Sequence, residues 1–151
     1  MKIGDIAPDF SLQDTEGNSV SLTNLTHEGK CLLLFFPLAF SGVCTDEMCR
    51  IRDNMKLYNS LEAKVAGISV DSFFTLREFK KSNNLNFILL SDFNKTVSID
   101  YKCMYSDFFG MKGVSKRGAF VIDSNKKILY VDILDDSDQI PDFKTISKYL
   151  Q

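Results

Sequence analysis

The sequence predicts an α/β fold with a mixed central sheet flanked by helices and an N-terminal β-hairpin extension. Three observations predict it. Short strand-length runs alternate with stretches of helical periodicity, the pattern of a sheet with helices on both faces. One run, Cys31-Leu-Leu-Leu-Phe-Phe36, is apolar throughout, as a strand covered on both faces must be. The chain then closes with a hairpin and one last helix.

Each element has its own signal. Phe10 and Leu12 alternate with polar residues, Glu16-Gly17-Asn18 supplies a turn, and Val20 and Leu22 alternate again, which predicts a hairpin. Pro37 ends the Cys31–Phe36 strand because proline cannot donate to a central ladder. From Val43 to Ser60, Met48, Ile51, Met55 and Leu61 recur at helical spacing. Thr45-Asp46-Glu47 is expected to place negative charge in the first turn, where the helix dipole favours it. Lys64 to Val70 reads as a strand, and Asp71-Ser72 as the cap of a helix running to about Ser82. Phe87 to Leu90 reads as a short buried strand and Thr96 to Tyr101 as a short helix. Gly118 to Asp123 and Lys127 to Leu134 pair through a turn at Ser124-Asn125, and Asp142 to Leu150 is a closing helix after Pro141.

The 151 residues are the size of one domain, read here as a single unit over 1–151. A composition 44% hydrophobic and 25% charged is that of a chain able to bury a core. A formal net charge of -2, with both signs interspersed, argues against a nucleic acid or an anionic membrane as partner. The start, Met1-Lys2-Ile3-Gly4-Asp5, carries no apolar signal stretch, so the expected address is cytoplasmic. Four cysteines in that compartment are buried, metal-bound or reactive rather than a static disulfide framework.

The segment Phe36-Pro37-Leu38-Ala39-Phe40-Ser41-Gly42-Val43-Cys44 carries the chemistry. Cys44 falls in the first turn of a helix that follows a buried strand. Free backbone amides and the positive end of the helix favour its thiolate, the nucleophilic form. Ser41 can place a hydroxyl near the sulfur, Gly42 permits close backbone approach, and Pro37 stiffens the loop and shields one side.

These residues resemble the peroxiredoxin active-site motif, Pro-x-x-x-Thr/Ser-x-x-Cys, here Pro37, Ser41 and Cys44. Val65-Ala66-Gly67-Ile68-Ser69-Val70-Asp71-Ser72, Leu89-Leu90-Ser91-Asp92 and Arg117-Gly118-Ala119-Phe120-Val121-Ile122-Asp123 look like further segments of that family, in the same order. The resemblance implies a thioredoxin-like fold and a thiol-dependent peroxidase. It would reduce hydrogen peroxide and organic hydroperoxides with no cofactor and no metal. It makes Cys44 the peroxidatic cysteine, which becomes a sulfenic acid, and places Arg117 beside it to hold thiolate and peroxide. Ser41 would hydrogen-bond the peroxide oxygens, standing where many members carry Thr. A thioredoxin- or glutaredoxin-like donor would recycle the enzyme.

Cys44-Thr45-Asp46-Glu47-Met48-Cys49 looks like the bacterioferritin-comigratory, or Q-type, subfamily, in which the second cysteine resolves the first. Five helical steps separate the two by about 140° and about 7.5 Å, so a bond between them requires the first turns to unwind. Cys103, in an irregular stretch from Tyr101 to Gly110, is the alternative resolver, and Cys31 reads as core. Two rivals come from other chemistry. A disulfide oxidoreductase wants C-x-x-C rather than C-x-x-x-x-C, and a zinc module of Cys44, Cys49, Cys103 and His27 lacks the usual paired spacing. The chain closes on Lys148-Tyr149-Leu150-Gln151, without a cysteine-bearing tail, which predicts a monomer or weak homodimer.

Overall fold

The computed structural model describes residues 1–151. Seven strands form one mixed sheet: β1 (Ser11–Asp14), β2 (Ser19–Ser21), β3 (Cys31–Phe35), β4 (Lys64–Ser69), β5 (Ile88–Ser91), β6 (Arg117–Ile122) and β7 (Ile128–Leu134). Five helices accompany them: α1 (Leu22–Thr26), α2 (Gly42–Ser60), α3 (Phe73–Ser82), α4 (Thr96–Asp100) and α5 (Phe143–Leu150). The strand order is β2-β1-β5-β4-β3-β6-β7. The β3–β4 and β4–β5 pairs are parallel, and β3–β6, β6–β7, β1–β5 and β1–β2 are antiparallel.

The uniform apolarity of β3 has the predicted cause. All five of its residues are buried, and successive side chains point to opposite faces. Leu32 and Leu34 join a cluster with Cys44, Met48, Ile51, Phe79 and Ile146, on the face covered by α2, α3 and α5. Cys31, Leu33 and Phe35 join Phe10, Leu12, Tyr101, Cys103, Phe120 and Ile122 on the other face. Because β6 runs antiparallel to β3, its first residue, Arg117, lies at the carboxyl end of β3, with Gly118 paired to Phe35. The loop from β3 to α2 leaves from that same end, so the topology brings Arg117 and Cys44 together across 73 residues of sequence.

The structure changes several local expectations. Leu22 opens α1 instead of extending the hairpin, because Ser21 and Asn24 form a capping box: Ser21 Oγ accepts from the Asn24 amide at 3.1 Å, and Asn24 Oδ1 accepts from the Ser21 amide at 2.8 Å. The first turn of α2 carries no acid, since the helix starts at Gly42 and Glu47 falls in its second turn. The stretch after α4 is irregular, yet Cys103 within it is buried, its thiol directed at the Lys116 carbonyl at 3.4 Å. The Ser72 cap of α3 is as read: Ser72 Oγ accepts from the Thr75 amide at 3.2 Å.

Gly67 in β4 sits under α2 with no room to spare. A Cβ there would lie 2.8 Å from Leu89 Cδ2, 3.3 Å from Phe36 Cε1 and 3.4 Å from Met48 Sδ. Gly67→Ala is therefore expected to lower unfolding free energy by about 1–3 kcal/mol in urea denaturation, the usual cost of overpacking a filled core.

Candidate active site

The site is built by the turn between β3 and α2. Phe36 continues β3 by donating its amide to the Ile68 carbonyl at 2.9 Å, and Pro37 then ends the ladder. Phe40 turns the chain with φ +70°, a backbone that side-chain-bearing residues rarely adopt, and its ring rests edge-on against Phe79 at 5.2 Å. The loop is tied down by Asp71, whose Oδ2 accepts from the Ala39 amide at 2.8 Å and from Ser69 Oγ at 2.7 Å. Ser41 is the N-cap residue of α2, and the Thr45 amide makes the first bond of the helix, to the Ser41 carbonyl at 2.9 Å. The amides of Gly42, Val43 and Cys44 have no partner within the helix and are free to face an anion.

Cys44 is 1% exposed. Its sulfur receives a hydrogen bond from Nη2 of Arg117 at 3.3 Å. Arg117 is itself 1% exposed, and every contact it makes fixes its plane. Nη2 also donates to the Ser137 carbonyl at 2.9 Å, Nε donates to the same carbonyl at 3.3 Å, and Nη1 donates to Glu47 Oε1 at 2.8 Å. The sulfur therefore faces a fixed cation at the start of a helix.

Glu47 is the site residue that sequence reasoning missed. Its place in the sequence suggests a first-turn charge, but it lies one turn after Cys44 on the same face of α2 and is completely buried. Its Oε2 has no partner. Burial pushes its carboxyl up to about 7, and the neighbouring Arg117 reverses only part of that rise. The available signal was its spacing: an acid three residues after Cys44 shares the buried face set by Met48 and Ile51.

A cavity of about 170 Å³ opens onto the sulfur, lined by Pro37, Ser41, Gly42, Val43, Cys44, Phe108, Phe109, Arg117, Ser137 and Asp138. That holds a peroxide group and a short substituent, against the several hundred Å³ of a cofactor site. Ser41 Oγ lies on its wall and donates to the Leu38 carbonyl at 2.9 Å, leaving its lone pairs unused by the helix cap. Phe109 stands 85% exposed at the rim, on a tight turn closed by paired Phe108–Met111 backbone bonds of 2.8 and 2.9 Å. Three larger surface hollows, about 420, 430 and 350 Å³, hold no cysteine.

Pro37, Ser41, Cys44 and Arg117 thus converge, as the motif requires. The family model described as AhpC/TSA matches residues 3–131. The chain belongs to the AhpC/TSA family. It is 36% identical over 147 residues to Peroxiredoxin Bcp of Escherichia coli (strain K12), covering 96% of this chain and 88% of that protein. It is 34% identical over 131 residues to a putative peroxiredoxin of Mycobacterium tuberculosis, covering 87% of this chain and 84% of that one. The solved structure of peroxidoxin BcpB from Mycobacterium tuberculosis superposes with a TM-score of 0.89 at 31% identity, covering 99% of this chain and 96% of that one. The fold is the thioredoxin-like fold of peroxiredoxins, and the protein is a thiol peroxidase.

The other cysteines of this peroxiredoxin are placed differently. Cys49 is half-buried on α2, whereas Cys31 and Cys103 lie in the core on the far face of the sheet. Burial pushes the Cys103 thiol up to about 12 and the Cys31 thiol higher still. His27 bonds the Asn24 carbonyl at 3.0 Å and pairs with Glu28, outside the cavity.

The raised Glu47 carboxyl has a signed consequence for stability. Between about pH 4.5 and about 7 the folded chain keeps a proton that the unfolded chain has released. The folded state binds more protons in that window, so this group's contribution falls as pH rises through it. Urea unfolding at pH 5 and pH 7.5 is expected to show a larger loss of stability in the parent chain than in Glu47→Gln. Equal losses would contradict the assignment.

Proposed function

We propose that Cys44 is the peroxidatic cysteine of this thiol peroxidase and that Cys49 resolves it. The observation that carries the reading is the 3.3 Å contact between Arg117 Nη2 and Cys44 Sγ, at a helix start that opens on a cavity. The Cys44 thiolate attacks one peroxide oxygen. The O–O bond breaks, an S–O bond forms, and the other oxygen takes a proton and leaves as water or an alcohol. Cys44 becomes a sulfenic acid. Charge spreads over sulfur and both oxygens in the transition state, and Arg117 and the free amides of α2 are the donors near that line, while the free lone pairs of Ser41 Oγ can accept from a peroxide O–H. Pro37 closes one side, while Phe108 and Phe109 give the mouth an apolar wall suited to organic hydroperoxides as well as hydrogen peroxide.

The same geometry supports the resolving step. Oxidation removes the negative charge of the Cys44 sulfur, so Arg117 loses one of its partners and the hold on the start of α2 weakens. Cys49, half-buried on that helix, reaches Cys44 once the first turns unwind. Cys103 is less suited, because it is fully buried against Gly118 on the other face. The reading extends to residues 1–151 acting as one unit, a monomer or weak homodimer in the cytoplasm, with a thioredoxin- or glutaredoxin-like protein reducing the disulfide.

Peptide mapping after one equivalent of hydrogen peroxide tests it. The parent chain is expected to yield a Cys44–Cys49 link. Cys49→Ser is expected to stop at a sulfenic acid trapped by dimedone, Cys103→Ser to behave as the parent, and Cys44→Ser to consume no peroxide. A Cys44–Cys103 link would overturn the resolver. A Cys44→Ser chain that still reduces peroxide would overturn the whole reading.

A further inference from the structure

Arg52 belongs to no part of the peroxide site, yet it is more firmly tied than an ordinary helix-surface arginine. Its Nη1 donates to the carbonyl of Asn83, the C-cap residue of α3, at 2.7 Å. Its own carbonyl accepts from Asn86 Nδ2 at 3.3 Å, and its Nε donates to Asp53 at 2.9 Å. Asn83 is also what Cys49 faces: the thiol points at Asn83 Oδ1, 3.9 Å away. The amide cannot turn over, because Asn83 Nδ2 donates to the Phe79 carbonyl at 3.1 Å. Cys49 and Arg52, one turn apart on α2, are therefore docked on one residue.

The electrostatics of that residue matter to a thiol. The end of a helix presents unpaired carbonyls and a partial negative charge, which disfavours a thiolate beside it. Here the exposed carbonyl at the end of α3 is covered by a guanidinium. The one other cation beside Cys49 on α2 is Arg50, which is exposed and has no partner fixing its side chain. Asp46 and Asp53 are acids, and Asp53 is already paired with Arg52. On α3, Lys80 and Lys81 line a hollow with Asp14, Glu16 and Arg77, on the side toward β1. The Arg52 guanidinium is held above its ordinary range, first by its bond to Asp53 and also by the Cys49 sulfur.

We propose that Arg52, clipped to Asn83, is a positioning residue for the resolving step, holding a cation beside Cys49 so that its thiolate can form and attack. The step balances. The Cys49 thiol gives its proton to solvent and its sulfur attacks the Cys44 sulfur. An S–S bond forms as the S–O bond of the sulfenic acid breaks, and the departing hydroxide takes up a proton to leave as water. Cys49 is oxidised and the sulfenic sulfur is reduced. The ties of Arg52 to Asn83 and Asn86 keep the cation in place while the turns before it unwind.

This inference rests on Cys49 being the resolver, and its test separates the two. In a Cys44→Ser background, iodoacetamide alkylation of Cys49 is followed against pH in chains with Arg52, Arg52→Lys and Arg52→Gln. Arg52→Gln is expected to raise the pH midpoint and slow alkylation at pH 7 by roughly three- to tenfold, the size of a one-charge effect at a part-buried helix end. Arg52→Lys is expected to restore most of it, which a merely structural role would not allow. With Cys44 present, sulfenic-acid decay after one equivalent of peroxide is expected to shift in the same way. An unchanged midpoint in Arg52→Gln, or equal loss in Arg52→Lys, overturns the proposal. A parent chain that forms no Cys44–Cys49 link overturns the resolver reading instead, whatever the alkylation shows.

Discussion

Arg117 is the side chain on which the rest of the site depends. It is a buried cation, and an unpaired charge in that position would cost several kcal/mol. Its hydrogen bonds to Cys44, Glu47 and the Ser137 carbonyl offset that cost and fix the guanidinium plane at the same time. Those partners come from α2 and from the segment after β7, so the antiparallel placement of β6 beside β3 is what makes the site possible. Buried Glu47 completes the arrangement and introduces a competition. When ionised, it shares the cation with the Cys44 sulfur; when protonated, it leaves the cation to the sulfur.

Helix α2 serves two opposed demands. Folded, it buries Cys44, Glu47 and Met48 and aims its free amides at the cavity. For Cys49 to reach Cys44, that first stretch must leave the core. The structure divides the helix at a suitable place. Before Cys49, the helix is held largely by Arg117 and by packing under Phe36 and Gly67. From Arg52 onward it is bound to the segment following α3 through Asn83 and Asn86. Unwinding confined to the first two turns fits that division.

Most of the fold was legible in the sequence because its signals are local. The all-apolar β3, the Ser72 cap, the turn after Asp123 and the periodicity of α2 each report on their own neighbours. Pro37, Ser41 and Cys44 were legible for the same reason, lying within eight residues of one another. What was not legible depends on contacts between distant segments. Glu47 reads as a first-turn helix charge because nothing in its neighbourhood announces Arg117, 70 residues on. Cys103 looked reachable because irregular segments are usually exposed, yet the tight approach of Gly118 seals it into the core. The short α1 is hidden because Leu22 continues the apolar alternation of the hairpin, although Ser21 and Asn24 form a readable cap.

If the Arg117–Cys44 contact makes Cys44 reactive, its single-turnover oxidation by hydrogen peroxide depends on the guanidinium charge. The rate of sulfenic-acid formation is measured for Arg117→Gln, which keeps a planar polar end but removes the charge, with native folding checked by circular dichroism. A fall of about 10²–10³-fold is expected, the loss typical of one preorganised transition-state donor. A folded Arg117→Gln chain oxidised within about threefold of the parent, less than 1 kcal/mol of barrier, would contradict it.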